Sequence, residues 1–97
     1  MAGWTFISKH GQVLAAIGKH PDMTGRDISN AIGITERATC MIIDDLIQGG
    51  YLTKKRQGRR NSYTVYPEIP LKMMDASAGD LMRILGWKPA GRKVKLN

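Results

Sequence analysis

The stretch Gly33-Ile34-Thr35 leaves this chain almost no choice of local path. Thr24 and Asp27 stand at the spacing of a capping box, in which the hydroxyl takes one orphan amide and the carboxylate reaches back for another. Ile28, Ala31 and Ile32 then supply an apolar side for a short helix. Gly33 stops that helix, because glycine enters the left-handed conformation without a steric penalty. Thr35 immediately opens another helix as an N-cap, and the run ERATCMIIDDLIQ continues it to the pair Gly49-Gly50. A helix end and a helix start only a few residues apart force a tight reversal, with helices predicted over about residues 25 to 32 and 36 to 48.

Upstream, Phe6, Ile7, His10, Val13, Leu14 and Ile17 form one stripe at helical spacing, with Ser8 as N-cap and Pro21 as the limit. The first helix is predicted over about residues 7 to 19. In the helix after the glycine turn, Thr39, Ile42, Ile43 and Leu46 make the buried stripe, leaving Glu36, Arg37, Cys40, Met41 and Asp44 on the opposite face. Past Gly50 the period changes to two. The segments YLTKKRQ and NSYTVY read as paired strands around a tight turn at Gly58-Arg59-Arg60-Asn61, with Leu52, Tyr63 and Val65 pointing inward. A last helix is predicted over about residues 77 to 85, from the cap spacing of Ser77 and Asp80 and the stripe Leu81, Ile84, Leu85. The remaining KPAGRKVKLN is basic and aperiodic, and reads as a flexible tail.

Ninety-seven residues suffice for one modest core. Charge is distributed unevenly along them. Residues 1–48 hold four Lys or Arg against five Asp or Glu, a balance of −1, whereas residues 49–97 hold eleven against three, a balance of +8. Five of the seven residues from Lys54 to Arg60 are cationic. Such a concentration points to a polyanionic partner, nucleic acid first and an anionic membrane surface second. No apolar run approaches the roughly 18 to 20 residues of a membrane span. The N-terminus has no secretory-leader pattern and Cys40 has no intramolecular partner, so a cytoplasmic location is expected. His10, His20 and Cys40 lack metal-ligand spacing, Asp44-Asp45 does not form an acid/base dyad, and no phosphate loop or activated nucleophile is present. The expectation is a binding protein without enzymatic activity, metal or cofactor.

Helix, short helix, glycine turn, longer helix and basic hairpin, in that order, are the layout of a winged helix-turn-helix, an α+β and mainly α fold. The stretch GRDISNAIGITERATCMIIDDLIQGGYLTKKRQGRRNSYTVYP resembles the winged-helix domains of prokaryotic transcriptional regulators of the MarR and ArsR kind. The likeness covers roughly Gly11 to Pro67, and its most specific points are Gly33 and the junction from GGYL into the wing. It implies that residues 35–48 form a recognition helix for the major groove of double-stranded DNA. Residues 51–66 would form a wing on the backbone or minor groove.

On that reading Lys54, Lys55, Arg56, Arg59, Arg60 and Asn61 meet the backbone, and Arg37 is the best candidate for reading bases. Thr35 and Glu36 are weaker candidates, while Cys40 and Met41 can offer a base edge little more than apolar contact with a thymine methyl. Residues 1–70 are then the winged domain, 71–88 a helical segment with an additional C-terminal helix, and 89–97 the tail. Met73, Met74, Leu81, Met82, Ile84, Leu85 and Trp87, with Trp4 and Phe6, exceed what a small core needs, and regulators that resemble this chain pair through flanking segments, so a homodimer is expected. No effector ligand can be named. Two other readings stand beside this one: a winged module for protein contacts, with Cys40 and Met41 in an adaptable surface, and a nonspecific binder of RNA or single strands using Tyr51, Tyr63 and Tyr66.

Overall fold

The computed structural model describes residues 6–71 and 75–88. Over them run α1 (Lys9–Lys19), α2 (Gly25–Ile32), α3 (Glu36–Gln48), β1 (Leu52–Gln57), β2 (Arg60–Val65) and α4 (Ala78–Ile84), a winged helix-turn-helix in which helices predominate. Local chemistry sets the helix starts. Ser8 accepts from the Gly11 amide at 3.2 Å, Thr35 accepts from the Ala38 amide at 3.0 Å, and complete capping boxes open α2 (Thr24 with Asp27) and α4 (Ser77 with Asp80). Gly33 lies at φ 85°, and its amide and that of Ile34 both donate to the Ser29 carbonyl. That geometry ends α2 and releases the chain straight into the Thr35 cap.

Val13, Leu14 and Ile17 of α1, Ile28 of α2, Ile42, Ile43 and Leu46 of α3, Leu52 of β1, and Ala78 and Met82 of α4 form a single core. Fully burying a large side chain of this kind is worth about 1.5 to 3 kcal/mol, so α3 is held mainly by its inner stripe. Thr39 is the buried polar member of that stripe; its hydroxyl donates to the Thr35 carbonyl at 3.0 Å. The strands pair antiparallel from Leu52 with Val65 to Gln57 with Arg60. Leu52 is buried, and Tyr63 and Val65 pack against the core.

Several sequence expectations are corrected. The hairpin turn is Gly58-Arg59 alone, because Arg60 and Asn61 already pair with Gln57 and Arg56. Phe6 lies ahead of α1 and is 90% exposed, since the Ser8 cap starts the helix at Lys9. His10 faces solvent instead of the core and meets Asp45 at 2.8 Å. Ala31 is exposed, and α2 buries Ser29 alongside the expected Ile28. In α4, Ile84 is 77% exposed while Met82 is wholly buried.

The inward turn of Met82 has its origin in α1. A Cβ added at Gly18 would come within 2.9 Å of the Met82 sulfur and 3.0 Å of the Trp87 ring, and one at Gly11 within 3.3 Å of Leu81. Two glycines two turns apart therefore let α4 approach α1 closely, and this approach selects Met82 as the inward residue. Trp4, Met73, Met74 and the expected tail at 89–97 lie outside the described residues.

Met82→Ala should cost about 2 to 5 kcal/mol of unfolding free energy, whereas Ile84→Ala should stay within about 0.5 kcal/mol, as measured by denaturant titration.

Candidate nucleic-acid interface

Because α3 buries Thr39, Ile42, Ile43 and Leu46, it turns Glu36, Arg37, Cys40, Met41 and Asp44 outward. Their situations differ. Met41 is 61% exposed, and Cys40 is an exposed free thiol. Thr35 uses its hydroxyl as the helix cap. Glu36 accepts from Arg26 Nε at 3.0 Å, an ion pair that spans the glycine turn and ties α2 to the start of α3. Arg37 has no hydrogen bond or ion pair with another described residue, so its guanidinium keeps its full donor fork.

In the wing, Lys54, Lys55, Arg56, Arg59, Arg60 and Asn61 are all exposed. Strand alternation and the register put Lys54 (opposite Tyr63) and Arg56 (opposite Asn61) on the same face as Leu52, and Lys55 on the reverse face. Charge therefore surrounds the hairpin instead of lining one side. Arg56 Nε donates to the Gly58 carbonyl at 3.0 Å, bracing the turn. Arg60 Nη2 donates to the Asp22 carbonyl at 2.7 Å.

Tyr63 links the wing to α3. Burial pushes its phenol above the ordinary tyrosine value; a hydrogen bond with the Asn61 side chain pulls the other way, and Cys40 and Asp44 of α3 add to the rise. α3 also packs against β1, so the exposed face of α3 and the root of the wing are neighbours. Sequence reasoning missed Asp22 and Arg26 as members of this surface, and read Tyr63 only as an inward residue or as a ring for single strands. Arg26 and Glu36 are opposite charges on either side of the glycine turn, a signal that was available, but Asp22 acts through its main chain, which no side-chain pattern announces.

An apolar groove of about 620 Å³ lies elsewhere, among Ile7, Leu14, Leu46, Tyr51, Leu71 and Leu81, and includes none of the wing's basic residues. Among the described residues no helix is long and apolar enough to cross a membrane, and no group of three or more His, Cys, Asp or Glu is placed to hold a metal ion.

A family model, that of the MarR family, matches residues 4–60. The chain belongs to the MarR family. The match runs from ahead of α1 to the first residue of β2 and takes in the whole of α2, α3 and β1. The MarR-family assignment makes this a winged-helix domain of the transcriptional-regulator type and agrees with the order of elements. A comparison with curated proteins finds no match.

In this MarR-family domain the raised Tyr63 value has a defined sign. The folded state holds the phenolic proton more tightly than the unfolded state does, so the associated stability is present below about pH 10 and is lost as pH rises through the folded value. A phenolate absorbance titration should show a tyrosine that ionises above the ordinary range, lost in Tyr63→Phe and ionising later still in Asn61→Ala.

Proposed function

We propose that this MarR-family domain binds double-stranded DNA as a cytoplasmic transcriptional regulator, with α3 in the major groove and the wing along the backbone or in the minor groove. One observation carries the reading: the Arg37 guanidinium, unpaired among the described residues, stands on the outward face of α3, and the root of a hairpin bearing five exposed cations lies next to that face. The action is binding without bond-making. Lysine and arginine that meet phosphates release condensed counterions, which offsets the cost of crowding like charges on one hairpin. Lys54, Lys55, Arg56 and Arg59 supply this term.

Base readout rests chiefly on Arg37, because a guanidinium can grip guanine O6 and N7 together. Cys40 and Met41 pack against thymine methyls, Thr35 and Asn61 add positioning contacts, and Glu36 is a weaker base reader that can accept from a cytosine amine. A homodimer reading two half-sites completes the proposal, with Phe6 and Ile84 as exposed apolar residues to bury between protomers. The second reading, a protein-contact surface, is favoured by the exposure of Met41 beside Cys40.

The test is duplex binding by anisotropy across a salt series, after selection of sites from random DNA. Replacing Lys55 and Arg59 with Ala should flatten the slope of log affinity on log salt by about two, at roughly 0.9 per phosphate contact. Arg37→Ala should lower the preference for the selected site over random duplex by about 1 to 3 kcal/mol, with Cys40→Ser changing it far less. A palindromic selected site would accord with two-fold pairing. An unchanged slope would remove the wing from the DNA, and no effect of any substitution would favour the protein-contact reading.

A further inference from the structure

A two-stranded hairpin has little stability of its own in water, so something outside it must hold its direction. At the root, burial does so, through Leu52 with Tyr63 and Val65 against the core. Toward the tip that support ends, because every residue from Thr53 to Asn61 is exposed. Among the described residues one hydrogen bond fastens this outer part to the helical body: the 2.7 Å contact from Arg60 Nη2 to the Asp22 carbonyl, across 38 positions of sequence. The segment Met23 to Gly25 faces Arg59 to Asn61 across a cleft of about 110 Å³, so the wing lies close to the α1–α2 turn without packing tightly on it.

The anchor is held by hydrogen bonds on both sides. Met23 N donates to the His20 carbonyl at 3.0 Å, and Thr24 is fixed by the capping box that opens α2, so the Asp22 carbonyl sits in a turn secured on both sides. The bond is charge-assisted, with the short distance such bonds favour.

We infer that Arg60 is a positioning residue that struts the wing against the α1–α2 turn and sets the angle at which the basic hairpin and α3 meet the same duplex. This rests on the DNA-binding reading above for its consequence, but the strut itself is a property of the free protein. The choice of acceptor matters. A carboxylate in this place would hold the guanidinium equally well but would neutralise it, whereas a main-chain carbonyl holds it and leaves its positive charge in the wing's field. The strut therefore orders the hairpin without weakening its attraction for a polyanion.

The experiment has two arms on the full chain, applied to the wild type, Arg60→Ala and Arg59→Ala. In the first, amide hydrogen exchange is followed in the free protein. Arg60→Ala should speed exchange along the β1–β2 ladder by about tenfold, the size expected for losing one charge-assisted hydrogen bond, with α1 to α3 unaffected, and Arg59→Ala should leave the ladder unchanged. In the second, DNA affinity is measured across a salt series. Arg60→Ala should weaken binding by about fivefold while the salt slope falls by well under 0.9, because a strut aims contacts it does not itself make and its charge acts only through the wing's field, whereas Arg59→Ala should lower the slope by about 0.9. Unchanged ladder exchange in Arg60→Ala overturns the strut, as does a slope that falls by about 0.9 in that variant with no change in exchange, which would make Arg60 an ordinary phosphate contact. If the wild type binds no duplex, the DNA reading fails and the exchange arm alone decides the strut.

Discussion

Everything in this domain hangs on the reversal at Gly33. With the glycine at φ 85° and the Ser29 carbonyl receiving the amides of both Gly33 and Ile34, α2 ends and α3 begins with a single residue, Ile34, between Gly33 and the Thr35 cap. The orientation of α3 is thereby coupled to α2. The Arg26–Glu36 pair is a surface reinforcement of the same joint, worth little alone because both partners are exposed. Once α3 is set, burial of its inner stripe determines which residues point outward. A side chain at position 33 would strain the backbone and, through it, displace the whole outward face.

What could be read in the sequence was what local chemistry decides. Thr24 with Asp27, Thr35, and Ser77 with Asp80 announced helix starts because a cap engages amides only two or three positions away. The outward placement of Arg37, Cys40 and Met41 followed from the stripe of Thr39, Ile42, Ile43 and Leu46, since a helix with one apolar face has only one other. What could not be read depended on partners distant in sequence. In the seven residues of α4, periodicity could not choose between Met82 and Ile84, and the choice is made by glycines in α1. His10 matched the apolar spacing but sits at the edge of the stripe, where Asp45 offers its imidazole a polar partner. Arg60 looked like any other wing cation, since its partner is a backbone oxygen.

The charge layout combines two regimes. The body of the domain uses its charges locally, as in Arg83 with Asp80 in the last helix and Arg26 with Glu36 at the turn. The wing does not: Lys54, Lys55 and Arg59 form no ion pair with another described residue, and Arg56 and Arg60 bond only to carbonyls. α3 itself carries one arginine against three acidic residues, so the positive potential of this surface comes from the hairpin and not from the helix. Long-range attraction and close-range discrimination are therefore assigned to different elements of one small fold.

Cys40 gives this arrangement a practical consequence. It is the chain's sole cysteine and is exposed on the outward face of α3, one turn beyond Arg37. A thiol-reactive spin label or environment-sensitive dye can be attached to the unaltered protein at the centre of the surface in question, without removing competing thiols or adding a new attachment point. The domain arrives already equipped with a reporter position.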